Sequence, residues 1–391
     1  MSAGANAYDS QDNTADAANG GFAAAGVAGE DHDGNSATAN GPGAAAHAGY
    51  IGGNNDNNTA TATGENSLAE AGAGDTIGGT LTMDNVGNTA TATNGGQAHA
   101  GGLGIGNDNN AATADGVDAA AYAGWLGDDN DDNVAEATAT DAITTIAYAG
   151  AGSVDEPQTI STGNTGNTAT ATNGEAFAGY NTLDSDGNTA IATDGGSASA
   201  GYQFENNDDN RAEATGFASI AYAGASAYDS GGNTATASSG GAAFAGIAGV
   251  DLDDNTATAV GLNAVAMAGY IGGNNTNNTA TATGENSIAQ AAAGDTIGGT
   301  LTMDNIGNTA TATDGGFAQA GSLGVGNENN RASATGNAIA SAGSMGDANT
   351  DNVASATGTA DDASSASAGV GSNGNLGLEV EAGPGEHLSA P

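Results

Sequence analysis

The residues best placed to do chemistry are carboxylates set two apart in Asp/Asn-rich stretches: Asp31 and Asp33, Asp184 and Asp186, Asp251 and Asp253. Asp128, Asp131 and Asp208 lie in equivalent stretches. Stacked about 5 Å apart, two such charges repel by about 1 kcal/mol even in water. Calcium takes six to eight oxygen ligands at about 2.3–2.6 Å, which carboxylates, Asn amides and turn carbonyls can supply. Ca2+ is therefore the expected cofactor, and a solvated acidic edge that keeps the chain soluble is the competing reading. Catalysis has little to stand on. The four histidines, His32, His47, His99 and His387, sit in four different sequence contexts, and none suggests a nucleophile with its base. A non-enzymatic protein is expected.

These carboxylates are held by a repeat, typified by Asn308 to Gly321, NTATATDGGFAQAG. The pattern is N-x-A-x-A-x, a Gly/Asn/Asp turn, then A-x-A-G, and it occurs fifteen times, anchored from Asn13 to Asn352. Alanines at +2 and +4 follow every anchor, while the residues between them vary and include Glu136, Glu213 and Arg211. Small residues alternating with unrestricted ones have a period of two, the mark of a strand with one buried face. Each repeat thus predicts two short strands whose inner face is only methyl groups. The anchor Asn, tolerant of the left-handed region, is expected to stack its amide on the copies above and below.

Anchor spacings are mostly 21 to 23 residues, with three longer ones of 30, 34 and 30. The predicted fold is all-β: one elongated β-solenoid of about fifteen coils, about 22 residues and two strands each, with an Ala-only core. It spans residues 1–369, with a block over 1–220 duplicated from 221 onward, and 370–391 read as a flexible tail. The duplication is visible in Asp75 to Met83, which recurs as Asp295 to Met303. The longer spacings predict inserted loops, two of them Gly-Gly hairpins. Apolar residues after the second strand, such as Tyr50, Trp125 and Tyr202, are expected to plug one edge of the coil.

The outward columns carry two further signals. First-strand positions are often Thr, as in Thr279, Thr281, Thr283, Thr309, Thr311 and Thr313. The column before the last Ala runs Tyr122, Tyr148, Phe177, Ser199, Tyr222, Phe244 and Met267. Such a stripe reads either as a side-to-side contact surface or as rings stacking along the sheet.

The chain has 46 acidic residues, two arginines and no lysine, a formal charge of −44. Nucleic acid and anionic membranes are excluded as partners by that field. There is no cysteine, so disulfides and thiol chemistry are excluded. No apolar run approaches the roughly 20 residues of a membrane span, so no membrane insertion is expected.

The two-strand repeat with its G-x-x-N-x-A-like turns resembles curlin-type bacterial surface fibre subunits. The stretch Ala282 to Ala291, ATGENSIAQA, resembles the β-roll heads of trimeric autotransporter adhesins, and the Gly/Asp turns resemble calcium-loaded RTX rolls. The Thr-x-Thr arrays resemble those of ice-binding solenoids. These resemblances imply an extracellular or cell-surface structural protein that polymerises with itself, head-to-tail and laterally, with Ca2+ support. A monomeric solenoid that binds ice or calcium is the alternative they imply.

Overall fold

The computed structural model describes residues 2–5, 11–27, 33–50, 53–72, 84–102, 106–125, 129–139, 145–151, 163–202, 204–273, 276–291, 306–321, 326–343, 348–359, 362–369, 374 and 376–389. The inserted loops over 73–83, 152–162 and 292–305 lie outside the described residues. The chain is an all-β parallel solenoid of about 12 turns of about 23 residues, with no helix among the described residues. It forms two compact units, Met1–Gly196 and Ser197–Pro391.

In the first unit the second strands pair in parallel in chain order. Phe22–Val27 pairs with Ala45–Tyr50, and Leu68–Ala71, Gln97–Ala100, Ala120–Trp125, Thr145–Ala151 and Gly174–Tyr180 follow. The second unit repeats this from Ser197–Tyr202 through Ile220–Ala223, Ala242–Leu252, Val265–Gly273, Ile288–Ala291, Phe317–Ala320 and Ile339–Ala342 to Ala366–Ala368. Alanine meets alanine in every register: Ala243 faces Ala266, Ala266 faces Ala289, and Ala289 faces Ala318. The pleat then sends each inner methyl to the core and each variable side chain outward.

The turn count is about 12, against the fifteen expected from the anchors, and the early first strands are not regular. Ala15–Asp16 and Ala37–Thr38 are only two residues long, and 59–63 and 89–93 form no strand. They bond through alternate residues alone, Ala60 N to Thr89 O at 3.0 Å and Ala62 N to Thr91 O at 3.2 Å. All fifteen anchor asparagines are nevertheless buried. Within the stretch expected as a tail, Val380–Glu381 pairs with Ala354–Ala356.

The core is not alanine alone. Beside the alanines lie the anchor amides, a second set of asparagines, Leu252, and a small-residue column that begins each second strand at Ala44, Ser67, Gly96, Ser219, Gly241 or Ala264. The corner before nine of the fifteen anchors takes the left-handed conformation, as at Asp209, Asp254, Asn277, Gly187 and Gly232. Only Gly, Asn and Asp enter that region cheaply, which explains the composition of the turns. The apolar residues after the second strand are partly exposed where described, at Tyr50, Trp125 and Tyr202.

So small an interior tolerates little added volume. Ala235 is fully buried and faces Ala257, whereas its neighbour Thr236 points outward. Ala235→Leu is expected to destabilise the second unit by at least the 1–3 kcal/mol typical of overpacking. Thr236→Leu is expected to stay within about 0.5 kcal/mol of the parent. Urea unfolding of the two variants checks this, and equal behaviour would show the facing to be wrong.

Candidate functional site

Two buried asparagine ladders hold the turns. In the first unit the anchors from Asn35 to Asn167 each donate Nδ2 to Oδ1 of the preceding anchor: Asn35 to Asn13 at 2.6 Å, Asn58 to Asn35 at 2.7 Å, Asn88 to Asn58 and Asn110 to Asn88 at 2.6 Å each. Asn133 and Asn167 continue it. The same Nδ2 closes its own turn, as from Asn58 to Asn55 O at 2.6 Å. Both amide protons are thereby used, as burial requires.

The second ladder stands three residues before the anchor and was not foreseen. Asn55 and Asn107 donate to the carbonyls of Gly49 and Gly101 at 2.7 and 2.8 Å, and Asn130 donates to Asn107 Oδ1 at 2.8 Å. Its signal was the N-x-x-N spacing of Asn55/Asn58, Asn107/Asn110 and Asn349/Asn352. The glycines that receive these bonds have positive φ, near +60° at Gly49 and Gly101. A Cβ there would run into the amides of Asn58 or Asn110.

The carboxylates proposed for calcium are placed as follows. Asp31 and Asp128 lie outside the described residues. Asp33 and Asp131 are half-buried, and Asp184, Asp186, Asp208, Asp251 and Asp253 are exposed. Several acidic turns are tied to the next turn: Thr276 Oγ1 donates to Asp253 Oδ1 at 2.7 Å, and Asn277 Nδ2 to Asp254 Oδ1 at 2.6 Å. Burial raises the pKa of Asp108, with the Asp131 carboxylate next in effect, and burial raises Asp131 too, helped by Asp132 and Asp129. Among the described residues, no three His, Asp or Glu side chains already converge as a metal site.

The aromatic column stacks on itself. Tyr122 and Tyr148 are in register with ring centroids 5.4 Å apart at 9°, Tyr148 and Phe177 are 4.7 Å apart at 10°, and Tyr222 and Phe244 are 5.0 Å apart at 13°. Tyr148 is buried and the others, with Met267, are half-buried. The threonines form in-register columns in the second unit. Thr234, Thr256, Thr279 and Thr309 follow one line, and Thr236, Thr258, Thr281 and Thr311 the next. Thr283 pairs with Thr313 beside them. Arg211 and Glu213 bound the patch on one side.

One constellation on the second-strand face of the first unit escaped the sequence reading. His47 faces Glu70, and Glu70 faces His99, on three successive turns. His47 Nδ1 lies 2.5 Å from Glu70 Oε2, an ion-pair contact between two largely covered side chains. The ring of His47 lies 5.4 Å from Phe22 and 5.0 Å from Tyr50. That of His99 lies 4.7 Å from Tyr122 and 6.3 Å from Trp125. Burial holds the His99 imidazole below the usual histidine range, and the Glu70 carboxylate partly offsets this. The signal was the shared column of A-H-A, A-E-A and A-H-A at 46–48, 69–71 and 98–100. No family model, curated protein or solved structure matches the chain.

Proposed function

We propose that the chain is a structural subunit of an extracellular or cell-surface filament, built by copies adding turn upon turn and supported by Ca2+ at the acidic turns. The supporting observation is the equivalence of the turns. From Ala243 through Ala266, Ala289 and Ala318 to Ala340, each turn offers the next the same parallel register. A turn of a second copy can accept that register as a neighbouring turn does, and such a heterologous contact continues without closing. The raised pKa values of Asp108 and Asp131 speak for a cation role, since a divalent ion would relieve the repulsion and desolvation they report. The resemblance to curlin-type fibre subunits points the same way.

The expected result is filaments in electron micrographs of the purified chain, more abundant with Ca2+ than with chelator. At low ionic strength the chelator should also lower the melting temperature, and Asp108→Asn with Asp131→Asn should blunt that response. A parent that stays monomeric by light scattering across salt and Ca2+ would overturn the filament reading. It would favour a second reading carried by the Thr columns: four charge-free turns in register form a regular polar array suited to an ordered surface such as ice. Loss of ice-recrystallisation inhibition in Thr281→Lys would support that second reading.

A further inference from the structure

We propose that residues 376–389 form a displaceable cap over the edge of the Asn352 turn, and that the uncapped edge takes a repeat turn from a second copy of the chain. What the edge receives rests on the filament reading; the closure itself does not. The segment traces one further turn in degenerate form. Val380 and Glu381 pair in parallel with Ala354 and Ser355, and Ala354 N donates to Glu379 O at 3.1 Å. That register sets Leu378 beside Asn352, in the place where every repeat carries its anchor asparagine. Val380 and Ala382, in the inner columns, are only half-buried, whereas Ala354 and Ala356 are covered. The chain then turns, Glu386 N donating to Gly383 O at 2.8 Å, and His387 Nδ1 donates to Ser364 O.

This turn leaves two buried groups beneath it unserved. Asn352 Nδ2 donates back to Asn330 Oδ1 at 2.5 Å, so its own Oδ1 faces the cap. That oxygen is buried without a hydrogen bond, because Leu378 has no amide to offer it. Ser364 Oγ is buried without one as well. In complete turns the equivalent hydroxyls of Ser219 and Ser287 donate to carbonyls of the following turn, Ser238 O at 2.9 Å and Thr313 O at 2.8 Å. A repeat turn brings both missing partners, an anchor Nδ2 and that carbonyl. Buried polar atoms of native proteins are nearly always bonded, so a repeat turn fits this edge better than the cap does.

The cap is also a poor template. Its strand is two residues long, Pro384 has no N–H, and Glu379, Glu381 and Glu386 are exposed. Short, charged, proline-bearing edges resist further pairing. With the cap displaced, the edge presents the three-residue strands Ala354–Ala356 and Ala366–Ala368 in the register common to the turns.

Two glycines of the cap give a matched test in the full chain. A Cβ at Gly385 would overlap Asp362 O, whereas at Gly383 the nearest heavy atom would be 3.4 Å away. Gly385→Ala is expected to lift the cap. By light scattering it should assemble at a concentration about tenfold below the parent's, the equivalent of one buried hydrogen bond. Gly383→Ala should match the parent. Leu378→Asn places an anchor amide beside Asn352 Oδ1, so it should hold the cap down and raise that concentration by a similar factor. Equal assembly of the parent, Gly385→Ala and Leu378→Asn would overturn the cap and leave the filament reading intact. Hydrogen exchange at Ala354 N–H reads the closure directly: faster in Gly385→Ala, slower in Leu378→Asn. Exchange unchanged in both would overturn the proposal even where no variant assembles. Absence of assembly with the cap shown lifted would refute the second-copy contact together with the filament reading.

Discussion

Gly246→Ala is expected to unfold the second unit at temperatures where the parent is fully native, a loss above about 4 kcal/mol. Gly246 makes a corner within the strand Ala242–Leu252, with φ +57°. A left-handed alanine alone costs about 1–2 kcal/mol. The larger cost is steric, because the new Cβ would coincide with the Oδ1 of Asn255. That oxygen accepts the Nδ2 of Asn233 at 3.0 Å, so it cannot withdraw without breaking the ladder. Gly231→Ala is the control: its nearest heavy atom would be 3.5 Å away, an ordinary contact. Thermal melts followed by circular dichroism compare the two. Similar melting temperatures would mean that the corner glycines are not what holds the amide stack in place.

The second large effect is expected from Asn233→Asp, a change of one amide to a carboxyl. The Nδ2 of Asn233 donates to Ser230 O at 2.9 Å, Asp253 O at 3.1 Å and Asn255 Oδ1 at 3.0 Å. A carboxylate oxygen in its place would meet three acceptors with no proton between them. An unpaired buried charge costs several kcal/mol, and the group escapes by protonation, so its folded pKa is raised above the ordinary value of about 3.9. For such a group the stability is fully present below the unfolded pKa and is lost as pH rises through the folded pKa. The deficit of the variant relative to the parent should therefore be full at neutral pH and shrink toward pH 4. A deficit independent of pH would show that the position is hydrated and not buried as found.

The alternation of alanines was legible because period two leaves no other regular structure, and Ala243 or Ala266 could be placed inward from spacing alone. The anchors were legible for the same reason. Asn55 and Asn107 were not recognised as core, since an asparagine in a Gly/Asp-rich stretch reads as a solvated turn, and only its placement under a glycine corner buries it. The His47–Glu70–His99 column was hidden by comparing each histidine with its sequence neighbours. In a parallel ladder the relevant neighbour is the residue one whole turn away. The aromatic stripe was legible as a column, but whether Tyr148 faces solvent or the next ring depends on side-chain packing that no periodicity encodes.

The amide stack of the second unit has a direction, and the direction changes. From Asn210 through Asn233 and Asn255 to Asn278 each Nδ2 points forward along the chain, while Asn352 and Asn330 point back toward Asn308. The two runs meet at Asn278, which turns its Nδ2 to Ile306 O at 3.3 Å, and at Asn308, whose Nδ2 lacks a hydrogen bond. In the language of ordered dipoles this is a domain wall: two aligned stretches of opposite polarity with one frustrated link. A wall costs about the 1–3 kcal/mol of one unsatisfied buried donor, wherever it sits. Rotation of a single amide moves it by one turn, so the frustration is a property of the whole array, shared among turns that are otherwise interchangeable. The long spacing between Asn278 and Asn308 is where it rests.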